Sequence, residues 1–266
     1  MRIKVLAFAA SLLSISNSSA GIPQSSPPTT SSPQAASLLT QSVKALTGAG
    51  ALSDATLTGT AEWIAGSDDE TGTAVYKAVS GAHRLDLTFR NGTRSEIVST
   101  SNGVPAGIWI GLDGTSHPIS NHNLMLDTGW FPSFTLGNLI SSSNTVLLYV
   151  GPESKNGTPV IHVSGSKVFP NLSSNSASIR QHLTQVDIYL DSTTGLPVSY
   201  VFNLHPDNNA LQDIRVEIQY SNYQTVRGMQ VPLHIQKFVN GSLALDFQVQ
   251  TVSLNTGITA VQISAQ

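Results

Sequence analysis

The stretch from Tyr220 to Ile235, YSNYQTVRGMQVPLHI, predicts the end of one strand, a tight turn and the start of a second strand. Arg227-Gly228 supplies the turn, because glycine adopts left-handed backbone conformations without steric cost. Val231-Pro232 opens the next strand, whose apolar residues then fall at every second position. This pattern of short strands and tight turns recurs along most of the chain.

Runs of apolar residues with a period of two occur on both sides of this stretch. Leu85, Leu87 and Phe89 alternate with charged or polar residues, and Asn-Gly or Asp-Gly pairs separate the runs. We count about eleven strands, and their short connections make them mostly antiparallel. One face of each strand is apolar and the other polar, which indicates a sheet covered on one side only. Further runs lie at 57–63, 104–112, 186–190, 198–204, 214–220, 231–239 and 243–249.

Two segments depart from this period. QAASLLTQSVKALTG, residues 34–48, predicts one amphipathic helix. Residues 116–143 contain Trp130, Phe131 and Phe134 and predict one or two short helices across the apolar face. We therefore predict a mainly β fold with few helices: a strongly curved antiparallel sheet of about eleven strands, an incomplete barrel closed by the N-terminal helix and a helical lid.

The last predicted hairpin allows a test of strand register. Apolar residues recur at odd-numbered positions of both strands: Val231, Leu233, Ile235 and Val239 in the first, and Leu243, Leu245, Phe247 and Val249 in the second. A two-residue Asn240-Gly241 turn would pair Val239 with Ser242 and set odd positions opposite even ones. The two apolar sets would then lie on opposite faces. A three-residue loop or a β-bulge keeps them together, and we predict one of these.

The N-terminus has the layout of a secretory signal peptide. Arg2 and Lys4 precede an apolar run, and Ala20 completes a small-residue cleavage site. The run is too short to span a bilayer, and no later stretch approaches about 18 apolar residues, so we predict no transmembrane segment. We divide the chain into a signal peptide (1–20), a disordered Ser/Thr/Pro linker (21–33) and a single folded domain (34–266).

Composition limits the possible partners. Charged residues make up 11% of the chain, the formal net charge is −3, and no run of basic residues occurs. We therefore predict no binding to nucleic acid or to anionic membrane surfaces. The chain has no cysteine, so no disulfide stabilises it and a lipid-anchored precursor is not expected.

No catalytic constellation is evident. Ser164 and Lys167 fit an S-x-x-K pattern, but no K-T-G partner accompanies them. Asp187 and Asp191 fall on one strand about 13 Å apart, which exceeds the carboxylate separation of a glycosidase pair. We predict that the protein is not an enzyme and needs no cofactor.

Metal ligands are equally scattered. His117, His122 and Asp127 lie in one loop, where a solvated loop is the simpler interpretation, and we predict no metal site. The remaining histidines fall on separate predicted strands or their ends: His83, His162, His182, His205 and His234.

Residues 220–258 resemble the C-terminal half of the LolA-like superfamily of periplasmic proteins. They share a strand end rich in tyrosine, a turn with glycine, Val-Pro at the start of the next strand and the closing sequence VSLNTGI, residues 252–258. DSTTGLP, residues 191–197, resembles an earlier turn of the same superfamily. The resemblance implies that residues 34–266 form a half-barrel of about eleven strands with a helical lid and a hydrophobic concave face. It also implies secretion into the bacterial periplasm.

Two functions follow from the resemblance, since some relatives carry lipoproteins by their acyl chains and others sense envelope stress. The first is a non-catalytic binding protein whose apolar cavity takes an acyl chain or a similar hydrophobic ligand, for lipid or lipoprotein handling. The alternative is an envelope sensor or protein-interaction module without a small ligand. Arg84 and Arg90 alternate away from the apolar face, so no arginine is assigned to the cavity.

The candidate cavity and lid residues are apolar positions of the predicted concave face, which either encloses a cavity or is filled by the core. They are Phe89, Ile108, Ile110, Trp130, Phe131, Phe134, Phe202, Ile235 and Phe247.

Overall fold

The computed structural model of the protein describes residues 30–66, 68–101 and 104–264. The predicted signal peptide, 1–20, lies outside the described residues, and so do residues 21–29 of the predicted linker. The last linker residues are described. The Ser32 amide donates a hydrogen bond to the Leu147 carbonyl at 2.8 Å, and the Leu147 amide donates one to the Ser31 hydroxyl at 3.0 Å. The described chain therefore starts in contact with the sheet.

Within the described residues, thirteen strands form one antiparallel sheet. They are β1 (Asp54–Ala65), β2 (Asp68–Val79), β3 (Ala82–Phe89), β4 (Gly92–Ser101), β5 (Val104–Ile110), β6 (Ser116–Pro118), β7 (Thr145–Lys155), β8 (Thr158–Lys167), β9 (Val186–Asp191), β10 (Pro197–Leu204), β11 (Ile214–Val226), β12 (Met229–Val239) and β13 (Ser242–Leu254). The predicted count of about eleven was too low. Strands such as β6, which has three residues, and β2, whose first half is polar, carry little apolar alternation.

The sheet consists of two meanders joined in the middle. Its strand order is β6-β5-β4-β3-β2-β1-β13-β12-β11-β10-β9-β8-β7. β1 pairs with β13, so the first and last strands of the chain connect the two meanders. β6 and β7 are the two edges, and the sheet is not closed into a barrel.

Register defines the inner face of the sheet, because residues paired across strands point to the same side. Leu85 and Leu87 are buried, and the polar residues that alternate with them lie on the other face. Two rows cross the inner face: Leu57, Tyr76, Leu85, Glu96 and Trp109 in one, and Trp63, Leu245, Lys237, Ile218 and Tyr200 in the other.

The described part of the chain also contains four helices: α1 (Pro33–Thr47), α2 (Pro132–Ser141), α3 (Ser174–His182) and α4 (Ala260–Ser264). α1 begins at a Ser32 cap and ends at Gly48, and it packs against α2, β12 and β7. α4 packs on β2, β3 and β4. The predicted lid contains one helix, α2, while residues 119–131 before it are irregular. No helix in the described part of the chain is both long and apolar enough to cross a bilayer.

The last hairpin contains the predicted bulge. Val239 pairs with Ser242 across a two-residue turn, in which Asn240 and Gly241 have φ values of 49° and 82°, as a type I′ turn requires. The register shifts between Lys237 and Phe238, so Ala244 is an extra residue on β13. Ile235 consequently pairs with Phe247, so Leu245, Phe247 and Val249 share the inner face with Ile235, whereas Leu243 pairs with Phe238 on the outer face.

Asp54 holds the junction between the two meanders. It is the first residue of β1, it is fully buried, and its carboxylate accepts four hydrogen bonds. Thr256 donates two, from its amide and its hydroxyl, both at 2.8 Å; the Gly257 amide donates at 2.9 Å and the Ser53 hydroxyl at 2.8 Å. The closing sequence VSLNTGI therefore ends β13 by capping the start of β1.

The neighbouring contacts extend this junction to the turn that opened the sequence analysis. Arg227 donates a hydrogen bond to the Leu254 carbonyl at 2.7 Å. The Asn255 side chain bonds both the Ser53 amide, at 2.8 Å, and the Ala51 carbonyl, at 2.9 Å. Burial by itself raises the pKa of Asp54, but the hydrogen bonds from Thr256, Gly257 and Ser53 outweigh it and bring the pKa to about 2.

Asp54→Asn is expected to lower the free energy of unfolding by about 2–4 kcal/mol at pH 7, because an amide cannot accept from all four donors. The ionised carboxylate stabilises the fold above its unfolded pKa of about 3.9 and loses this effect as the pH falls towards the folded value. The difference between wild type and variant should therefore shrink between pH 4 and pH 2 in urea unfolding experiments.

Asp113→Asn is the matched control, since Asp113 accepts two hydrogen bonds from Thr115 within one exposed turn. It should cost less than about 1 kcal/mol. Equal losses in the two variants would contradict a special role for the junction.

Ile235→Asp should lower the free energy of unfolding by more than about 3 kcal/mol, because the side chain is 1% exposed and faces Phe247. Gln250→Asp places the same charge at an exposed position of β13 and should change stability by less than about 0.5 kcal/mol. Thermal unfolding of both variants measures this. Similar melting temperatures would mean that the register of the last hairpin is wrong.

Candidate ligand-binding cavity

A cavity of about 320 Å³ opens on the inner face of the sheet. Its walls come from β3, β4 and β5 on one side and from β10, β12, β13 and β1 on the other, and residues 119–131, which we call the cover loop, lie over it. The lining residues are Trp63, Leu85, Leu87, Arg94, Ser95, Glu96, Val98, Trp109, Ile110, Pro118, Ile119, Ser120, Asn123, Leu124, Leu126, Thr128, Trp130, Phe202, Leu204, Asp207, Lys237 and Leu245.

The cavity requires a strongly curved sheet. β4 and β10 are seven strand spacings apart in the sheet order, or about 34 Å on a flat sheet. Glu96 of β4 and Phe202 of β10 nevertheless line one small cavity. The predicted curvature is therefore needed to bring these strands together.

All three tryptophans of the chain line this cavity. Trp63 comes from β1, Trp109 from β5 and Trp130 from the cover loop. Trp130 is 2% exposed, whereas Trp109 is 45% exposed and stacks on His117 at a ring distance of 4.0 Å. Trp130 thus lies deep in the cavity and Trp109 at its mouth, so intrinsic fluorescence reports on this region alone.

Charged side chains interrupt the apolar lining. Register pairs Arg94 with Leu87 and Glu96 with Leu85, which places both charges on the inner face. Lys237 lies on the same face, between Ile218 and Leu245. A charge on an apolar face costs free energy unless it is paired, so each of these needs a partner or a ligand.

Glu96 has partners within the protein. Its Oε1 lies 3.1 Å from His83 Nε2 and accepts a hydrogen bond from Trp130 Nε1 at 3.1 Å. Lys237 lies over the Trp130 ring, with its Nζ 5.5 Å from the ring centre. Burial by itself raises the pKa of Glu96, but the His83 hydrogen bond, the Lys237 charge and the Trp130 hydrogen bond lower it to about 2. Glu96 is therefore ionised and satisfied at neutral pH.

Arg94 is different. Its guanidinium lies 5.1 Å from the centre of the Trp63 ring, in a cation–π arrangement. Its buried Nε makes no hydrogen bond to the described residues, and neither does the buried indole nitrogen of Trp63. No salt bridge joins Arg94 to a carboxylate of the described residues. The cavity thus presents one cation with unused donors beside apolar walls.

The cover loop is bound to the sheet at several points. Asn123 and the His205 backbone exchange two hydrogen bonds of 2.9 Å. Lys167 donates to the Met125 carbonyl at 2.7 Å, and burial lowers the pKa of this lysine. Tyr220 donates a hydrogen bond to the Gly129 carbonyl. At Gly129, where φ is 77°, a Cβ would lie 2.6 Å from the Tyr200 ring, so only glycine fits there.

The predicted cavity residues fall into four groups. Ile110, Trp130 and Phe202 line the cavity. Phe134 lines a smaller space of about 200 Å³ beside α2. Ile108 pairs with Ile97, which pairs with Arg84 on the outer face, so the structure does not bring it to the cavity. The remaining predicted residues are buried in the core: Phe89, Phe131, Ile235 and Phe247.

Sequence reasoning missed the charged lining. Lys237 had a usable signal, because it occupies an inward position within the apolar run 231–239. Arg94 and Glu96 had none, because β4 lacks regular apolar alternation. The earlier expectation that no arginine faces the cavity considered Arg84 and Arg90, and it overlooked Arg94.

Other candidate groups do not converge. Ser164 and Lys167 lie three residues apart on β8, so their side chains point to opposite faces. Asp127 accepts hydrogen bonds from Gly129 and Thr135 of its own segment, whereas His117 stacks on Trp109. A wider depression of about 440 Å³ lies at the turns that follow β7 and β9 and is lined mostly by polar side chains.

No protein-family model matches the chain, and no curated protein is similar to it in sequence. Solved structures are similar in fold. A domain assigned to an outer membrane lipoprotein-sorting protein from Vibrio parahaemolyticus is 12% identical, with a TM-score of 0.56 over 87% of this chain and 96% of that chain. A DUF1329 family protein from Desulfovibrio piger is 9% identical, with a TM-score of 0.55 and the same coverages. A LolA superfamily protein from Nitrosomonas europaea is 8% identical, with a TM-score of 0.49 over 83% and 93%.

At these identities the likeness concerns the fold alone. The first two superpositions span most of both chains, and they agree with a single open antiparallel sheet. This chain therefore shares the fold of these two proteins, and the mainly β, open antiparallel architecture that was predicted from the sequence is confirmed.

Proposed function

We propose that this protein is a non-catalytic binding protein for an amphipathic lipid, whose hydrocarbon chain occupies the cavity and whose anionic head group binds Arg94. The observation that carries this proposal is a cation that has no carboxylate partner and an unpaired Nε among the described residues, placed against the apolar walls of an accessible cavity. The α1–α2 helices and the cover loop would close the inner face over the ligand.

The walls suit a hydrocarbon chain. Leu85, Leu87, Phe202 and Leu245 supply apolar surface, and each methylene group buried there is worth about 0.8 kcal/mol. The volume of about 320 Å³ is at the lower end of the range of roughly 300–1,000 Å³ for ligand pockets. Much of the inner face is filled core, so the cavity would accommodate one chain rather than several.

The charges favour an anionic head group. Glu96 already has His83, Trp130 and Lys237 around it, and it leaves little attraction for a cation. Arg94 has unused donors, and a guanidinium can bind a carboxylate or phosphate with two parallel hydrogen bonds. Its position over Trp63 restricts its motion and so reduces the entropy lost on binding.

We further propose that the protein acts outside the cytoplasm, in the bacterial periplasm, after removal of residues 1–20. The layout of the N-terminal residues supports this. The similar Vibrio parahaemolyticus domain is assigned to lipoprotein sorting, and lipid or lipoprotein handling is the role that we propose for this chain.

Palmitate is expected to change the tryptophan fluorescence saturably and to raise the melting temperature. Arg94→Gln should weaken palmitate binding about tenfold or more, because a hydrogen bond to a charged group contributes about 1.5–3 kcal/mol. Hexadecanol has the same chain without the charge, and its weaker binding should be unaffected by the substitution. Fluorescence titration measures both affinities.

Arg90→Gln is the control, since Arg90 is exposed at the turn after β3. It should leave palmitate binding unchanged. Equal losses in the two arginine variants would exclude Arg94 as the head-group site. If neither lipid gives a saturable response, the binding function is wrong, and the alternative of a sensor or interaction module takes its place.

Expression in a Gram-negative host should yield a periplasmic protein whose N-terminus is Gly21, because Ala20 completes the cleavage site. N-terminal sequencing or intact mass measures this. Ala20→Lys should retain the precursor, since a long charged residue does not fit a small-residue site. Recovery of material with Met1 intact from wild type would contradict the proposed location.

A further inference from the structure

We propose that His182, His205 and Asp213 form a binding site for a divalent transition metal ion of the zinc type. These three residues come from two segments: His182 ends α3, and His205 and Asp213 lie at the two ends of the connection between β10 and β11. Each offers a nitrogen or oxygen ligand atom, and these atoms all lie within 4.8 Å of one another. Within the described part of the chain, this is the group of histidine and acidic side chains whose ligand atoms lie close enough together to hold one metal ion.

Two imidazole rings converge on one carboxylate oxygen. Asp213 Oδ1 lies 2.9 Å from His182 Nε2 and 3.4 Å from His205 Nδ1. Zinc binds nitrogen and oxygen ligands at about 2.0–2.2 Å in a tetrahedron, which places neighbouring ligand atoms about 3.2–3.6 Å apart. The two distances are close to this range, so small side-chain rotations would admit an ion between the three groups.

The exposure of the three side chains also fits a metal site, since one is buried and two are partly exposed. The His205 side chain is 1% exposed, and its Nε2 forms no hydrogen bond with the described residues. The Gln212 carbonyl oxygen lies 3.2 Å from the same His205 Nδ1, so it is placed to act as a further oxygen ligand of the ion. His182 and Asp213 are 34% and 44% exposed, so an ion can enter and a water molecule can occupy an open position.

An ion at this site would stabilise the connection between β10 and β11, to which the cover loop is hydrogen-bonded. It would join the end of α3 to the connection between β10 and β11. The His205 backbone exchanges two hydrogen bonds with Asn123, and the His122 ring lies 6.1 Å from the His205 ring. The ion would therefore restrain the segment to which the cover loop is attached.

The test uses tag-free full-length protein dialysed against EDTA, because a histidine tag would itself bind the metal. Titration with ZnCl₂ by calorimetry should show one ion per chain and a higher melting temperature, and Co²⁺ should give the visible absorption of a tetrahedral site. His182→Gln and Asp213→Asn should each weaken zinc binding at least about tenfold. Loss of a residue that only supports a metal ligand already lowers metal affinity by about 10–100-fold, and loss of a ligand should have at least this effect. Both side chains are partly exposed, so these variants should fold.

His162→Gln is the control. His162 also contacts two carboxylates, Glu153 at 2.7 Å and Asp187 at 2.9 Å, but through opposite ring nitrogens, so it cannot place both around one ion. This variant should bind zinc as wild type does. The proposal is overturned if wild type binds no zinc, if His182→Gln and Asp213→Asn bind it with unchanged affinity, or if His162→Gln weakens binding as much as they do.

Discussion

The pairing of β1 with β13 is the constraint on which the rest of the structure depends. In the described part of the chain, β1–β13 is the hydrogen-bonded strand pair that joins the two meanders, β1–β6 and β7–β13, and it makes the inner face continuous. At this junction the buried Asp54 carboxylate accepts four hydrogen bonds, one from Ser53 beside it and three from Thr256 and Gly257 after β13. Since the contact joins residues about 200 positions apart, it carries a large loop-closure cost, and the strong charge-assisted hydrogen bonds offset part of that cost.

The cavity depends on this junction, because its walls come from both meanders. β3, β4 and β5 lie on one side of the β1–β13 pair and β10 and β12 lie on the other. Curvature brings them to a common space, and the charged residues on that inner face then meet each other. Glu96 illustrates the result: its partners His83, Trp130 and Lys237 belong to β3, the cover loop and β12. Arg94, one inward position away on the same strand, receives no comparable partner among the described residues, and this asymmetry gives the cavity its proposed preference for an anionic group.

The cover loop connects the two sites that we propose. Trp130, near one end of the cover loop, lines the cavity and donates a hydrogen bond to Glu96. Asn123 donates a hydrogen bond to the backbone carbonyl of His205, which belongs to the proposed metal site. Lys167 and Tyr220 hold its middle at the backbone carbonyls of Met125 and Gly129. An irregular segment of this kind owes its conformation to side chains of the sheet, so changes at either site act on the same few hydrogen bonds.

Local pattern by itself determined the mainly β class, the antiparallel arrangement, the N-terminal helix and the bulge in the last hairpin, because period, turn chemistry and register are properties of neighbouring residues. Residues 220–258 also predicted an open antiparallel sheet, which the structure has. The strand number was not predicted correctly, since β6 and the first half of β2 lack apolar alternation. Of the nine predicted cavity residues, Ile110, Trp130 and Phe202 line the cavity and Phe134 lines a smaller space, whereas Ile108 faces outward. The other four are buried in the core: Phe89, Phe131, Ile235 and Phe247. The partners of Glu96, the position of Arg94 over Trp63 and the meeting of His182 with His205 and Asp213 were decided only by the tertiary structure, because each depends on contacts between different elements of the fold.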